Sequence, residues 1–448
     1  MSAASPSVVA LHEERTSGYP PLPLWRSFFW SLVGVSGFAG SQWAIIVLLA
    51  KLGTAAILGV YAYALAVTAP VLLFVQMNLR LVQAVDSNRE FRFADYLGVR
   101  AIGSVLALPV LALFVLVTEQ PFAVMIVIGV LACAKVIDGL SDVVHGLLQQ
   151  RERTDKQAIS LLIRGTLQVA LLAVVLMSTG DVRWSAVAVA VGSVVSLLLY
   201  DIPLSGRILR DEAEPATGWV RLSYLRGRAN VRLQLARRAL PLGIMAVLGS
   251  LYQNIPRYFV ERAMGLEAVG YYSAVFYLTF VGYTVVAAMG NATAPTLARL
   301  YTADAGRFRR MSFALAGFGA LLGGIGMLLA AWQGDWLLGL LYRAEYAQYQ
   351  GLLVWVMLSS CFWYAATLLG FAAIAAQRFR LQAYLHAVAA LATVIAAPPL
   401  LKAYGLEGGA MALTVGVFPL LIGECVIVWS ATRARSSGRA TAPVGGTA

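Results

Sequence analysis

Apolar runs of about 20 residues recur along the chain between residues 27 and 430. A run of that length is what an α-helix needs to cross the roughly 30 Å hydrocarbon core of a bilayer. Only 12% of the 448 residues are charged, whereas a soluble domain carries about one quarter. The pattern therefore excludes an ordinary soluble protein and predicts an all-α integral membrane protein, in which each helix satisfies its own backbone hydrogen bonds.

The connections between the runs predict how the chain is oriented. We predict twelve transmembrane helices, at 27–50, 55–77, 97–117, 121–148, 158–178, 183–203, 240–260, 268–292, 311–332, 350–376, 381–402 and 408–430. Arginines concentrate in the connections after the even-numbered helices, and basic residues mark the cytoplasmic side, so both termini are expected in the cytoplasm. The net charge of +12 is explained by this topology and by anionic lipid headgroups. Membrane lipids are therefore expected partners, whereas nucleic acid is not.

The two halves of the chain repeat one short pattern. The stretch GVY at 59–61 and the stretch GYY at 270–272 each begin an even-numbered helix, 211 residues apart. Because each half contains six helices, the copies have parallel topology and a pseudo-two-fold axis along the membrane normal relates them. We predict a cytoplasmic disordered tail at 1–26, a six-helix bundle at 27–203, a basic cytoplasmic linker at 204–239, a second six-helix bundle at 240–430 and a cytoplasmic tail at 431–448.

Helix 4 carries a charged stripe. Lys135, Asp138, Asp142 and His145 follow one another in steps of three or four, so they share one face of the helix. Ionisable groups within a span face protein or water, and Arg164 on helix 5 is level with Asp142. Two interpretations stay open. Arg164 and Lys135 form structural ion pairs with the aspartates, or the stripe lines a substrate cavity in which Asp138, Asp142 and His145 couple transport to an ion gradient.

Helix 7 offers a second candidate site for substrate binding. Asn254, Arg257 and Glu261 are spaced to share a face near its outer end. The guanidinium of Arg257 matches the oxygens of a phosphate in bidentate geometry. The alternatives are a surface pair with Glu261 and a side chain that reaches out to the lipid headgroups.

The end of helix 2 offers a third set of candidates. Gln76, Arg80 and Gln83 are spaced four and three apart, which predicts a common face at the cytoplasmic mouth of a cavity. An amphipathic segment on the inner leaflet is the alternative interpretation. Asn291 holds the position equivalent to Arg80 in helix 8, and Gln42 in helix 1 is a further candidate for the cavity wall, although both residue types also serve in packing.

Motifs that carry covalent chemistry are missing from the sequence. It contains no nucleotide-binding loop, no cluster of metal ligands and no nucleophile–base pair at a recognised spacing. We therefore expect no cofactor, no metal site and no catalytic residue, and we expect a transporter rather than an enzyme. The short external connections also argue against an intramembrane glycosyltransferase or polymerase.

The stretches NIPRYFVERAMGLEAVGYYSAVFYL (254–278) and LGVYAYALAVTAPVLLFVQMNLRLVQAVDSNREFRFADYLGVR (58–100) resemble the polysaccharide-export flippases of bacteria. That family belongs to the multidrug/oligosaccharidyl-lipid/polysaccharide exporter superfamily. The resemblance implies an inner-membrane protein that moves an undecaprenyl-diphosphate-linked oligosaccharide from the cytoplasmic to the periplasmic leaflet by alternating access. The oligosaccharide would be a repeat unit of O-antigen, exopolysaccharide or capsule, and the machinery that polymerises or exports the polysaccharide would be a further partner.

The alternative function is a cation-coupled exporter of small molecules or drugs from the same superfamily. A site for organic cations should present acids without basic partners in the middle of the membrane. Asp138 and Asp142 have basic neighbours, and the remaining interior acids, Asp201 and Glu424, are expected near the ends of their spans. The sequence therefore favours the lipid-linked oligosaccharide as the substrate.

Overall fold

The computed structural model describes residues 22–86, 89–211 and 228–436, and the regular structure within these ranges is helical. The predicted tails and the predicted linker extend beyond them. Residues 1–21, 212–227 and 437–448, on which parts of those predictions fall, lie outside the described residues.

The N-terminal half forms six spanning helices from eight helical segments and one π-helical turn. These are α1 (Leu24–Leu52), α2 (Ala55–Gln76), α3 (Leu79–Val85), α4 (Phe93–Val117), α5 (Phe122–Gln150), α6 (Thr154–Thr179), α7 (Val182–Ser196), the π-helical turn Leu197–Asp201 and α8 (Ile202–Asp211). Helix α7 continues through the π-helical turn into α8, so the sixth span extends into the segment predicted to be the basic linker.

The C-terminal half also forms six spanning helices. Its segments are α9 (Ala229–Tyr277), α10 (Thr279–Ala303), α11 (Ala305–Leu341), a 3-10 turn (Ala344–Tyr349), α12 (Gln350–Ala375), α13 (Phe379–Tyr404) and α14 (Leu406–Ser436). Within the described residues, eleven helical stretches are long and apolar enough to cross a membrane, and the longest is Ala229–Ala303. This stretch breaks at Gly265, where φ is 83° and glycine is tolerated best. Dividing it there gives the twelve helices predicted from the sequence.

The halves meet through two equivalent glycines. A Cβ atom on Gly59 of α2 would overlap the carbonyl oxygen of Leu266 and lie 3.0 Å from the Gly270 nitrogen. A Cβ atom on Gly270 of α9 would overlap the carbonyl oxygen of Ala55 and lie 3.1 Å from the Gly59 nitrogen. Only small residues let two helix backbones approach this closely. Two repeat-equivalent residues that touch each other lie on the symmetry axis, which places the pseudo-two-fold between Gly59 and Gly270.

Helix α2 ends at Gln76, one residue before the predicted end, and a left-handed turn follows it. Met77 and Asn78 take left-handed backbone conformations, with φ of 46° and 51°, and α3 begins after them in a new direction. The Met77 backbone nitrogen donates to the carbonyl oxygens of Leu73 and Phe74, which closes the last turn of α2. The common face predicted for Gln76, Arg80 and Gln83 is therefore not formed, because the break separates Gln76 from the other two.

Both described ends of the predicted linker are helical and pack against the N-terminal half. Near the start of α9, Arg228 Nη1 lies 2.8 Å from Asp95 Oδ2, and Arg238 Nη1 lies 2.5 Å from Glu90 Oε2. These ion pairs join the first turns of α9 to the region around the start of α4. The seventh span thus begins within the segment predicted as linker and contacts both halves.

The contact at the symmetry axis predicts a stability difference between two alanine variants. Gly59→Ala should lower the midpoint of thermal unfolding in detergent, because overpacking a close helix contact costs about 1–3 kcal/mol. Gly129→Ala is the matched control, since a Cβ atom there has no neighbour within 4 Å and alanine favours a helix interior by about 1 kcal/mol. If the unfolding midpoint of Gly59→Ala is equal to or above that of the unaltered protein, as is expected for Gly129→Ala, the close contact is contradicted.

Candidate functional site

A cavity of about 440 Å³ lies on the seam between the two halves, and we call it the seam cavity. Its wall is formed by α2, α5 and α9 and by the first residues of α10. The lining residues are Leu65, Ala66, Thr68, Ala69, Leu72, Leu73, Gln76, Lys135, Gly249, Ser250, Gln253, Asn254, Arg257, Phe276, Tyr277 and Phe280. The structure thus brings together four residues that the sequence suggested separately: Gln76, Lys135, Asn254 and Arg257.

Arg257 lies in the wall of the seam cavity, and its hydrogen-bond partners there are neutral. Its Nε donates to Ser273 Oγ at 3.1 Å, and its Nη1 donates to Asn254 Oδ1 at 2.5 Å. The guanidinium carbon lies 4.6 Å from the ring centroid of Phe276. The surface pair with Glu261 is absent, because Glu261 Oε1 instead accepts from Gln120 Nε2 at 3.3 Å. Within the described part of the chain no carboxylate pairs with Arg257, although its side chain is only 4% exposed.

Lys135 belongs to a group of three charges. Its Nζ lies 3.1 Å from Asp138 Oδ2, and the other oxygen of Asp138 lies 3.5 Å from Arg164 Nη1. Arg164 also stacks over the ring of Phe38, with 4.6 Å between the guanidinium carbon and the centroid. The structural ion pairs anticipated from the sequence are therefore present. Since one carboxylate serves two cations, the group keeps a net positive charge, and Lys135 brings that charge to the seam cavity.

The seam cavity is consequently suited to an anion. Two cations line it, and its described lining includes no aspartate or glutamate. A buried charge costs several kcal/mol unless a partner compensates it, and the partners of Arg257 are dipoles and aromatic rings rather than a carboxylate. A phosphate or diphosphate would supply the missing negative charge and accept charge-assisted hydrogen bonds.

A polar chain runs through the N-terminal bundle behind the seam cavity. Asp142 Oδ1 lies 3.6 Å from His145 Nδ1, and His145 Nε2 lies 2.9 Å from Ser160 Oγ. Ser160 Oγ donates to Asp201 Oδ1 at 2.6 Å. His145, Ser160 and Asp201 are fully buried, and Asp201 ends the π-helical turn of the sixth span. We call these four residues the relay chain.

The remaining predicted residues lie around these groups rather than in the seam cavity. Arg80 Nη1 is 4.0 Å from Asp142 Oδ1, at one end of the relay chain. Gln83 is buried against α5, where it contacts the backbone position of Gly146. Gln42 Nε2 donates to Gln168 Oε1 at 2.8 Å within the bundle. Asn291 lies on an exposed face of α10.

Three charged residues have a role in the structure that the sequence did not suggest. Arg100 of α4 is 1% exposed, and its side chain covers Gly139 beside the amide of Gln76. Asp201 and Glu424 were expected near the ends of their spans, but they are 0% and 1% exposed, inside continuous helices. The sequence does contain a signal for these positions. An ionisable group within a membrane span is costly in lipid, and this cost favours a position facing the protein interior for each of the three.

A second cavity, of about 290 Å³, lies within the C-terminal bundle next to the seam cavity. Residues of α9, α10, α12, α13 and α14 line it, and we call it the bundle cavity. Its polar and aromatic lining residues are Tyr252, Gln253, Tyr283, Trp363, Thr367, Phe371, Gln382, His386 and Glu424.

Comparison with known proteins identifies relatives of this architecture. Residues 24–301, more than half of the chain, match a family described as "Polysaccharide biosynthesis protein". The chain is 22% identical over 382 residues to the capsular polysaccharide biosynthesis protein CapF of Staphylococcus aureus, covering 85% of this chain and 93% of CapF. It also resembles solved transporters in fold. An inward-facing multidrug resistance MATE family transporter of the MOP superfamily has a TM-score of 0.66 at 14% identity, with 92% of this chain and 100% of that chain covered. The Vibrio cholerae MATE transporter VcmN in a bent form has a TM-score of 0.59 at 15% identity, with 92% and 97% covered.

The group of three charges predicts a coupled effect on stability. Asp138→Asn leaves Lys135 and Arg164 without their shared counter-charge, which should lower the free energy of unfolding by about 3–5 kcal/mol. Adding Arg164→Met should restore part of that loss, because it removes one of the two orphaned cations. Thermal unfolding of the single and double variants measures the coupling, and strictly additive losses would show that the 3.5 Å pair contributes nothing.

Proposed function

The chain belongs to the polysaccharide biosynthesis protein family, and we propose that it is a flippase for an undecaprenyl-diphosphate-linked oligosaccharide. The oligosaccharide would be a repeat unit of O-antigen, exopolysaccharide or capsule. The protein would move this lipid-linked unit from the cytoplasmic to the periplasmic leaflet of a bacterial inner membrane. The observation that carries this proposal is the seam cavity, which presents Lys135 and Arg257 with no described carboxylate in its lining.

The chemistry of such a lipid explains why a seam is useful. The diphosphate and the sugars cannot cross about 30 Å of hydrocarbon unaided, because each polar group would lose its hydrogen bonds to water. The polyprenyl tail can stay in the bilayer throughout. A protein therefore needs only a polar path between its two halves, open sideways or endwise to lipid, with cations at the position of the diphosphate. The covalent bonds of the substrate stay unchanged, so the proposal includes no enzymatic step.

Alternating access would follow from two halves that rock against each other around the seam cavity. The contact between Gly59 and Gly270 closes the seam at the end predicted to be periplasmic. Release on that side would require the two backbones to separate there. The periplasmic polymerase or export machinery would then receive the lipid-linked unit.

The drug-exporter alternative is less well supported by the seam cavity. An organic cation needs a carboxylate or an aromatic cage, and the described lining of the seam cavity offers no carboxylate. Two of its aromatic rings, Phe276 and Tyr277, already face the guanidinium of Arg257. The likeness to MATE transporters supports the transporter fold and leaves the substrate to the chemistry of the site.

Energy for transport would enter through the relay chain. Each member of the relay chain lies within hydrogen-bond or ion-pair distance of the next, in the order Asp142, His145, Ser160, Asp201. Such chains of acids and histidine carry protons through membrane proteins. Arg80 and Arg100 face Asp142 from α3 and α4, so a proton that arrives there changes the balance of charge beside Gln76. Of the three coupling candidates, Asp138, Asp142 and His145, Asp138 is the least suitable proton carrier, because two cations pair with it.

Loss of the two cations should stop transport. We expect Lys135→Gln and Arg257→Gln to reduce translocation about tenfold or more each, since a charge-assisted hydrogen bond contributes about 1.5–3 kcal/mol. The measurement is mass spectrometry of lipid-linked sugars in a strain whose own gene is replaced by the variant. One complete undecaprenyl-diphosphate oligosaccharide should accumulate, and the surface polysaccharide should be lost.

Arg262→Gln is the matched control, because Arg262 lies on the same helix and is exposed. It should leave the lipid-linked pools at the level of the unaltered protein. Normal pools in the two cavity variants, or in a strain that lacks the gene and any second flippase, would refute the proposed function.

The relay chain predicts a separate phenotype. Asp201→Asn keeps an acceptor for Ser160 but removes the site that binds a proton, and His145→Gln interrupts the middle of the chain. In proteoliposomes, both variants should lose stimulation of transport by a pH gradient while substrate binding stays intact. Asp304→Asn, at an exposed helix cap, is the control. Full stimulation in both relay variants would exclude this route for protons.

A further inference from the structure

We propose that the bundle cavity is a glycan subsite that binds the sugars next to the diphosphate. This inference rests on the proposed function and adds to it the part of the substrate that determines specificity. The cavity is built differently from the seam cavity, since aromatic rings and hydrogen-bond acceptors replace cations in its described lining. Five helices of the C-terminal half contribute to it, namely α9, α10, α12, α13 and α14.

The aromatic lining supplies apolar faces for sugar rings. Tyr283 and Trp363 stack in parallel, with 4.7 Å between their ring centroids. Tyr252 and His386 meet edge to face, with 6.0 Å between their ring centroids, in the same lining. Aromatic side chains combine a large apolar surface with a polar edge, which suits a ligand whose C–H faces are apolar and whose rim carries hydroxyls.

The polar lining has an unused acceptor. Glu424 is 1% exposed, and its Oε1 accepts from Gln382 Nε2 at 3.2 Å. Its Oε2 accepts no hydrogen bond from any described residue. A buried acceptor without a donor costs about 1–3 kcal/mol, and more when it carries charge. A ligand that donates hydroxyl hydrogens would remove this cost.

His386 provides a second acceptor when its imidazole is neutral. Its Nδ1 lies 2.8 Å from the carbonyl oxygen of Gln382, and because a carbonyl only accepts, Nδ1 carries the hydrogen. Nε2 is then an acceptor beside Gly249, on the wall of the bundle cavity. Two acceptors among aromatic rings are suited to a hydroxyl-rich, uncharged ligand.

The two cavities are adjacent, so one substrate molecule can occupy both. Gly249 and Gln253 of α9 line the seam cavity and the bundle cavity alike. A small void lined by Gln253, Phe276 and Trp363 lies between them. At about 290 Å³, the bundle cavity is at the lower end of the roughly 300–1,000 Å³ range for small-molecule sites. It therefore fits the sugars attached to the diphosphate rather than a complete repeat unit.

Binding to the full-length protein in nanodiscs tests the subsite with two probes. One is undecaprenyl diphosphate without sugar, and the other is the lipid-linked saccharide extracted from the gene-deletion strain. Glu424→Gln and Trp363→Leu should each weaken saccharide binding about tenfold, corresponding to roughly 1.4 kcal/mol, and leave undecaprenyl diphosphate binding unchanged. Retained binding of the sugar-free lipid also shows that each variant is folded. The controls are Glu345→Gln and Trp336→Leu, at exposed positions outside the cavity.

The outcomes separate this inference from the proposed function. If both bundle-cavity variants bind the saccharide as the unaltered protein does, or lose both probes equally, the glycan subsite is wrong while the flippase can stand. If undecaprenyl diphosphate binding does not depend on Lys135 and Arg257, the proposed function itself fails. Binding of tetraphenylphosphonium that disappears in Glu424→Gln, with saccharide binding unaffected, would assign the bundle cavity to organic cations instead.

Discussion

The placement of positive charge inside an apolar protein is the constraint on which the rest of this structure depends. Arg257 is buried among an amide, a hydroxyl and aromatic rings. Lys135 reaches the same cavity from the other half, and it shares its only described carboxylate with Arg164. Positive charge that the protein leaves partly uncompensated is costly, and under the proposed function a bound anion would offset that cost.

The repeat explains why this charge lies on the seam. The two bundles touch through Gly59 and Gly270, so the axis that relates them is also the place where they are closest. A second close contact lies at the other end of α2, where a Cβ atom on Gly243 of α9 would lie 2.9 Å from the Phe74 carbonyl oxygen. Lys135 lines the seam cavity from the N-terminal half and Arg257 lines it from the C-terminal half. Under the proposed function, rocking of the two halves against each other around the seam cavity would move the two cations relative to each other and expose a bound diphosphate to alternate sides.

Periodicity and composition predicted most of the fold and some of the site. The spacing of Lys135, Asp138, Asp142 and His145 placed them on one face, because helix geometry alone determines that relation. The end of the second helix was predicted to within one residue, but the left-handed turn at Met77 and Asn78 was not, since contacts with α9 around Gly243 lie beside it and no pattern within α2 specifies them. Asp201 was misplaced because a π-helical turn continues the sixth span beyond its apolar run. Arg100 and Glu424 are buried by neighbouring helices, and no pattern within their own helices specifies those neighbours.

Cryo-electron microscopy of the protein in nanodiscs with the lipid-linked oligosaccharide tests the central claim most directly. The account predicts diphosphate density in the seam cavity, within hydrogen-bond distance of both the Lys135 ammonium and the Arg257 guanidinium. Diphosphate density at another position, with these two side chains keeping their contacts to Asp138 and Asn254 and no ligand between them, would contradict it.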